Sequence, residues 1–340
     1  MHTAVLDPTA AETVDDPNAL LRKRFEQLQD PSEALKLLHR YVPSCPARVE
    51  AVCTPQRCRH ATRFVVRVDT VASTGEREAF VFKGYADDRG QRLMHVFDSI
   101  VTCSECPQGA CPVSRPLAYL PQERLLISRW AHGQTVWAHL ERGRSDLLAR
   151  IPSVLAQLYQ AEARSEATTT AQTLLDEKVL PYREKACKRW PAAAATVQPL
   201  MAALQEALPL LDPTPPALVH GDMKLEHCFW NGRHMTLIDL DCFRYADPAY
   251  DAGRFLGKLH WKCLHHPALM ARAPEMLATF RAAFLCAVPT ASARNIAFYY
   301  ALTLVHLIYE DLVSLHVPAD WPRIVERYAP YAMSALQTGV

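Results

Sequence analysis

The sequence lacks the features that would place it in a membrane, in a secretory route or on nucleic acid. No apolar run approaches the roughly 18 residues that a membrane span needs, so no membrane partner is expected. Residues 1–17 contain four acidic side chains and neither a basic segment nor an apolar core. We therefore expect no secretory signal and a cytoplasmic protein. The 37 basic and 36 acidic residues leave a net charge of +1, which gives no field that favours nucleic acid.

Other absences narrow the class further. The even charge balance argues against a strongly polycationic substrate, which would call for an acid-rich surface. No internal repeat is visible, which excludes a solenoid. The 11 cysteines are an odd number in a chain that is 49% hydrophobic, so reduced thiols are expected rather than a disulfide framework. The length suits one large domain or two lobes that share a cleft.

The first 130 residues change from helical to strand-like periodicity. Residues 1–45 are predicted to form an extension and a helix, which is interrupted near Pro31. Residues 46–130 begin with a proline-rich stretch that predicts irregular structure. They continue with two β-hairpins, one turning at Gly75 and one at Pro121, with a helix between the hairpins.

Residues 131–340 are mainly helical, apart from a strand-like island at 218–241. The complete pattern predicts an α+β, bilobal fold. The small β-rich lobe is residues 46–130, and the larger, mainly helical lobe is residues 131–340.

The island carries the most informative residues. Asn231-Gly232 separates two apolar runs, which is a strong hairpin signal because both residues tolerate a positive φ. Asp222 precedes the first strand of this hairpin, and Asp239 and Asp241 end the second. Since the two ends of a hairpin lie side by side, Asp222 and Asp239 are expected to lie close together.

Phosphoryl transfer to a hydroxyl suits this arrangement. One carboxylate must accept or orient the proton of the attacking hydroxyl, a second must hold magnesium, and a lysine should neutralise the moving group. Asp222, Asp239 and Lys224 fit these three roles in that order. Asp241 is either a second metal ligand or a solvated carboxylate.

Three motifs resemble one family. His220-Gly221-Asp222 resembles the catalytic loop of aminoglycoside phosphotransferases and choline kinases, and Ile238-Asp239 resembles their metal-binding aspartate. Residues 247–251, with the sequence Asp-Pro-Ala-Tyr-Asp, resemble a downstream element of the same family. The resemblance implies a protein-kinase-like fold, ATP (or GTP) and Mg²⁺ as cofactors, and transfer of the γ-phosphate to a hydroxyl of a small-molecule substrate. Asp222 would be the base, and Mg²⁺ would be held by Asp239.

Asp247 and Asp251 also have a structural interpretation, which we favour. Asp247 stands where an N-cap would, with Pro248 at the first helical position. Asp251 would then lie one turn into the helix, where a negative charge is favourable.

One residue departs from the family pattern. His227 stands five residues after Asp222, where the family has an asparagine that binds a second magnesium. Imidazole is a poor ligand for this hard cation. Either Asp239 and Asp241 hold the second metal, or His227 binds it weakly, or a single metal works here. The departure motivates an alternative function, a nucleotide-binding pseudokinase with a regulatory role.

The resemblance also implies nucleotide contacts in the small lobe. Lys83, at the end of an apolar strand, would bind the α- and β-phosphates, with Asp98 as its nearest candidate partner. Backbone groups near Ser128 to Trp130 would hydrogen-bond the purine, and Ile127 and Trp130 would be its apolar walls. No G-x-G-x-x-G loop is present, a pattern that choline-kinase-like enzymes often do without.

One cysteine cluster has some features of a zinc site. Cys103, Cys106 and Cys111 have part of the required spacing, but only the first two form a tight pair. Reduced, loosely structured thiols are therefore favoured over zinc, and a metal-dependent redox sensor is a third hypothesis for the function.

The acceptor pocket is expected between the catalytic loop and the C-terminal helices. Glu310, Asp311, Asp320 and Trp321 either line it or lie at exposed helix ends. The sequence identifies neither the acceptor nor an oligomeric state.

Overall fold

The structure is a computed structural model, and it describes residues 19–42, 46–53, 59–60, 62–102, 113–114, 116–161, 168–314 and 321–339. These residues fall into two compact units, one within His2–His132 and one within Gly133–Val340.

The smaller unit is built on a six-stranded antiparallel sheet. Its elements are α1 (Ala19–Gln27), α2 (Pro31–Tyr41), β1 (Pro46–Cys53), β2 (Arg59–His60), β3 (Arg63–Ala72), β4 (Arg77–Tyr85), α3 (Arg89–Thr102), β5 (Pro116–Leu120) and β6 (Leu125–Arg129). The strands follow the order β1-β3-β4-β6-β5, and β2 pairs with β3. Both predicted hairpins are confirmed, because β3 pairs with β4 and β5 pairs with β6.

Alternating burial fixes one face of this sheet. Phe64, Phe82 and Ile127 are among the buried residues that form one core with apolar residues of α1 and α2, including Leu38. The predicted interruption near Pro31 is confirmed, because α2 begins there and Asp30 caps it by accepting a hydrogen bond of 2.8 Å from the Ser32 amide.

Strand β1 corrects the prediction of an irregular stretch. It pairs antiparallel with β3, although the register shifts between Pro46 and Arg48 and again between Val49 and Ala51. These irregularities break the period-two alternation that reveals a strand in a sequence. Pro46 is tolerated because it is the first residue of the strand.

The larger unit is mainly helical and contains two small antiparallel sheets. Its elements are β7 (Gln134–Thr135), α4 (Val136–Leu140), α5 (Ile151–Tyr159), α6 (Ala171–Lys178), α7 (Leu180–Arg189), α8 (Pro191–Ala207), β8 (Ala217–Val219), β9 (Cys228–Trp230), β10 (Met235–Leu237), β11 (Arg244–Ala246), α9 (Ala249–Leu264), α10 (Pro267–Met270), α11 (Ala273–Ala287), α12 (Ala293–Ser314) and α13 (Trp321–Thr338). The sheets have the orders β10-β9-β7 and β11-β8.

Helix α12 lies at the centre of this unit. Among the described residues, it is the helix whose length and hydropathy would suit a membrane span, but 78% of its apolar window is buried inside the protein. Helix α9 packs against it very closely. A Cβ atom added to Gly253 would lie 2.5 Å from the Cβ of Tyr299, and one added to Gly257 would lie 2.6 Å from the Cγ2 of Thr303. The contact therefore needs glycine at both positions.

Candidate active site

The hairpin predicted for the island is confirmed, with a longer turn than expected. Strands β9 and β10 pair antiparallel, with Leu237 opposite Cys228. The side chain of Asn231 accepts hydrogen bonds from the amides of Arg233 and His234, and Gly232 has a φ of 95°. The turn therefore uses positive φ only at its glycine, and the asparagine contributes through its side chain.

His220 connects the two ends of this hairpin. Its Nε2 donates a hydrogen bond of 2.8 Å to the carbonyl oxygen of Ile238, and its Nδ1 accepts one of 3.3 Å from the amide of Asp222. The imidazole is completely buried. One side chain thus joins the loop that carries Asp222 to the residue that precedes Asp239.

Asp251 stabilises the same loop through its carboxylate. Its carboxylate accepts hydrogen bonds of 2.7 Å from the amide of His220, 2.9 Å from the amide of Gly221 and 3.2 Å from the hydroxyl of Tyr159. Burial raises the pKa of Asp251, although the amide hydrogen bonds oppose this effect. The structural role is as predicted, but its partners are the loop amides rather than the end of the helix.

Helix α9 begins one residue later than the sequence indicated, and the side chain of Asp247 still accepts a hydrogen bond from its first residue. The helix begins at Ala249, whose amide donates a hydrogen bond of 2.9 Å to Asp247 Oδ1, so Pro248 precedes the first helical residue.

Gly221 has a conformation and a position that only glycine fits. Its φ is 79°, and an added Cβ would lie 1.9 Å from the carbonyl oxygen of Cys242. The loop is thereby pressed against the short 3₁₀ turn Leu240–Cys242 that follows Asp239.

Two cations hold the carboxylate of Asp222. Lys224 Nζ lies 3.2 Å from Oδ2, and Arg254 Nε lies 3.0 Å from Oδ1, which also contacts Arg254 Nη2. Burial raises the pKa of Asp222, but the charges of Arg254 and Lys224 outweigh it and hold the pKa well below its usual range. Asp222 is therefore ionised at neutral pH.

The contact of Arg254 with Asp222 was not predicted from the sequence. A signal was present, because Arg254 follows Asp251 by three residues in a predicted helix, and residues at this spacing share a face. The face of this helix that carries Asp251 therefore also carries Arg254, whose guanidinium contacts Asp222.

Asp222, His227 and Asp239 form a group that could hold a metal ion. One ligand atom from each residue lies within 4.8 Å of the others. Asp239 has a φ of 65°, in the left-handed region that aspartate tolerates better than most residues. Asp241 lies outside this group, on the 3₁₀ turn, and its metal role stays a prediction.

The hydrogen bonds of His227 show that this group suits a cation. The Nδ1 atom lies 2.9 Å from the carbonyl oxygen of Asp222, and because a carbonyl can only accept, Nδ1 carries the proton. Burial lowers the pKa of His227 to about 3, so the ring is neutral at pH 7. Its Nε2 therefore presents a lone pair to Asp239 Oδ2 at 3.3 Å. A cation bound by both atoms would relieve the contact between two acceptors.

The residues predicted to bind the nucleotide divide between the two faces of the small unit's sheet. Lys83 on β4 lies opposite Leu126, and Phe82 lies opposite Ile127. Directly paired residues share a face, so Lys83 and Ile127 point to opposite faces. Ile127 is completely buried in the core against α1 and α2, which excludes it as an apolar wall beside Lys83.

The segment after β6 already forms contacts within the protein. The amide of Trp130 donates a hydrogen bond of 2.8 Å to the carbonyl oxygen of Ala79, so this group is not available for a purine. The ring of Trp130 lies under the guanidinium of Arg67, at 4.5 Å. The roles of Lys83 and Ser128 in nucleotide binding stay predictions.

The predicted acceptor residues have different surroundings. Glu310 contacts His306 and Lys258 within the larger unit, at 3.4 Å and 3.7 Å. Asp311 accepts a hydrogen bond of 2.8 Å from Tyr328, which ties α12 to α13. Trp321 begins α13. Asp320 and the cysteines of the zinc hypothesis, Cys103, Cys106 and Cys111, lie outside the described residues.

A family profile matches about two thirds of the chain. The sequence profile of the phosphotransferase enzyme family matches residues 71–292. No curated protein sequence is significantly similar to the chain.

Solved structures show the fold. A choline/ethanolamine kinase family protein from Mesorhizobium loti is 16% identical, with a TM-score of 0.58 over 90% of this chain and 95% of that one. An amicoumacin kinase in complex with AMP-PNP, Ca²⁺ and Ami is 13% identical, with a TM-score of 0.55 over 93% and 96%. An aminoglycoside phosphotransferase in a ternary complex with ADP and hygromycin B is 15% identical, with a TM-score of 0.52 over 90% and 98%. The predicted protein-kinase-like fold class is confirmed.

Proposed function

Because the chain belongs to the phosphotransferase enzyme family, we propose that it transfers the γ-phosphate of ATP to a hydroxyl of a small molecule. The observation that carries the proposal is the convergence of Asp222 and Asp239, which His220 joins through its two ring nitrogens. Phosphoryl transfer needs a carboxylate at the nucleophile and another at the metal, and the two ends of this hairpin supply both.

Asp222 is the proposed base. It accepts the proton of the acceptor hydroxyl as the hydroxyl oxygen forms a bond to the γ-phosphorus. The bond between the γ-phosphorus and the β–γ bridging oxygen breaks, and ADP leaves with that electron pair. Lys224, beside Asp222 at 3.2 Å, is placed to neutralise charge on the transferring group.

Asp239 and His227 are the residues that would hold the divalent cation. When bound, the cation neutralises charge on the β- and γ-phosphates. Asp222 is less available as a ligand, because both of its carboxylate oxygens already contact cationic side chains.

A pseudokinase is the second candidate, and a specific contact favours it. Arg254 occupies one oxygen of Asp222 and Lys224 occupies the other, which weakens the carboxylate as a proton acceptor. A survey of γ-phosphate transfer from radiolabelled ATP to hydroxyl-bearing metabolites separates the two functions. We expect transfer to at least one acceptor. Nucleotide binding without transfer to any member of a broad panel would favour the pseudokinase.

Asp239→Ala is expected to abolish the dependence of nucleotide binding on magnesium. The carboxylate is the charged oxygen ligand of the group, and magnesium prefers such ligands. Isothermal titration of AMP-PNP with and without Mg²⁺ measures the effect. A variant that keeps the wild-type ratio of affinities would remove Asp239 from the metal role.

His227→Asn is expected to shift the preference of the site toward Mg²⁺. Imidazole nitrogen favours transition metals over magnesium, whereas an amide oxygen does not. With AMP-PNP present, we expect the ratio of the Mg²⁺ to the Mn²⁺ dissociation constant to fall on the order of tenfold. Electron paramagnetic resonance of free Mn²⁺, with Mg²⁺ in competition, measures this ratio.

The matched control is His234→Asn, on the exposed turn of the hairpin. It makes the same chemical change away from the group and should leave the ratio unaltered. Equal ratios in the wild type and His227→Asn would show that His227 does not bind the metal.

A further inference from the structure

Several basic side chains border the loop that carries Asp222. Phosphoryl transfer to a neutral acceptor does not require them. We define the cationic cluster as Lys178, Arg244, Arg254 and Lys258. All four belong to the larger unit, and they come from α6, β11 and α9.

Backbone pairing places one half of the cationic cluster at the loop. Arg244 lies opposite Val219, the residue before His220, in the pairing of β11 with β8. Its Nη1 donates a hydrogen bond of 2.8 Å to Glu177, the neighbour of Lys178 on α6. The C-terminal end of α6 is therefore held beside the start of the catalytic loop.

Helix α9 supplies the other half. Arg254 and Lys258 are four residues apart on one face, where like charges destabilise a helix unless another charge opposes them. Asp222 opposes Arg254, and Glu310 opposes Lys258 at 3.7 Å. The side chains of Arg254 and Lys258 remain 13% and 21% exposed, so this face is not completely closed to solvent.

Four of the five cations in this region form ion pairs with carboxylates. Glu177 pairs with Arg244, Glu310 pairs with Lys258, and Asp222 pairs with both Arg254 and Lys224. Lys178 forms no hydrogen bond or ion pair with any residue that the structure describes. Of these five cations, Lys178 is therefore the one without an ion pair among the described residues.

The surroundings of Lys178 disfavour its positive charge, although Cys242 and Glu177 offset part of this effect. Burial lowers the pKa of Lys178, and the positive charges of Arg244 and Arg254 lower it further. A half-buried ammonium beside two guanidinium groups is stabilised when an anion binds between them.

We propose that the acceptor is a hydroxyl compound that also carries an anionic group, a carboxylate or a phosphate, which binds Lys178 and Arg254. This inference rests on the proposed function and names its substrate class. The bound anion competes with Asp222 for Arg254, and so leaves a carboxylate oxygen free to accept the hydroxyl proton. The contact of Arg254 with Asp222, which favours a pseudokinase in the free protein, is then released when the correct acceptor binds.

Binding to the full chain saturated with AMP-PNP and Mg²⁺ tests the proposal without turnover. The probes are matched pairs that differ in one anionic group: D-glycerate and glycerol, D-gluconate and D-sorbitol, glycerol 3-phosphate and glycerol, and glucose 6-phosphate and glucose. Isothermal titration should give tighter binding of the anionic member in at least one pair. The carboxylate and phosphate pairs distinguish the two anions. Tighter binding of the neutral member throughout, or of choline, overturns the proposal.

Lys178→Gln should raise the dissociation constant of the preferred anionic probe about tenfold, the effect of one charge-assisted hydrogen bond. Lys178→Arg should restore most of the affinity, because it keeps the charge. The control is Lys188→Gln on α7, an exposed lysine that pairs only with Glu184 nearby. A weaker affinity for AMP-PNP in Lys178→Gln, with the probe affinity unchanged, would assign the cationic cluster to the nucleotide and overturn the inference.

Failure of the two proposals can be told apart. Transfer of phosphate to neutral or cationic acceptors alone overturns the anionic acceptor and leaves the phosphotransferase intact. Binding of anionic probes that is lost in Lys178→Gln, without transfer to any acceptor, supports the anion site and overturns the proposed activity.

Discussion

Asp222→Asn is expected to lower kcat for phosphoryl transfer about 10³-fold, the contribution typical of a positioned general base. The amide keeps the shape of the side chain and can still accept a hydrogen bond from Arg254, but it cannot take the hydroxyl proton. The affinity for AMP-PNP and Mg²⁺ should change by less than about threefold, because the nucleotide does not depend on the base. The measurement is steady-state transfer to the acceptor that the survey identifies, with nucleotide affinity from titration.

A matched control separates chemistry from the loss of an ion pair. Asp146→Asn makes the same substitution in an Asp–Arg pair whose side chains are about half exposed. It should leave kcat and the melting temperature near those of the wild type, since exposed pairs contribute little. Asp222→Asn also leaves Arg254 with less opposing charge, so its melting temperature is recorded as well. Transfer at the wild-type rate in folded Asp222→Asn would exclude this residue as the base.

Asp251→Ala is expected to lower the free energy of unfolding of the protein by about 4 kcal/mol. The substitution leaves the amides of His220 and Gly221 buried without an acceptor, at about 1–3 kcal/mol each. It also removes the partner of the Tyr159 hydroxyl. Urea unfolding followed by tryptophan fluorescence measures the loss.

Asp251→Asn provides the intermediate case. Its single carbonyl oxygen accepts from one loop amide, while its NH₂ group meets the other donor, so about half of the loss should remain. Nucleotide affinity should fall in both variants, because Asp222 and Asp239 are no longer held in register. Unfolding curves that overlie that of the wild type would show that the loop does not depend on Asp251.

The elements that the sequence predicted well are those with local signals. The hairpin strands β3 and β4 are rich in β-branched and aromatic residues, and the proximity of Asp222 and Asp239 follows from chain continuity across one hairpin. Both depend on residues that are near one another in the sequence. Strand β1 was missed because its two register shifts destroy that local signal.

The remaining features depend on packing between distant segments. Arg254 meets Asp222 across 32 residues, and the pairing of Arg244 with Glu177 holds the end of α6 that carries Lys178 beside the loop. The register of β4 with β6 decides which face of the sheet Ile127 occupies. No sequence pattern contains that register, so the sequence could not show that Ile127 lies in the core.

The close packing of α9 on α12 determines when the catalytic loop can form during synthesis of the protein. Asp251 holds the loop, and two residues later Gly253 rests on Tyr299, which the ribosome adds 46 residues after it. Strands of the smaller unit emerge first and can pair as they appear, since their partners are close behind them. We expect the loop to be fully supported only after α12 has left the ribosome. Translation pauses between residues 253 and 299 would therefore prolong the exposure of an unsupported, largely apolar helix surface to chaperones.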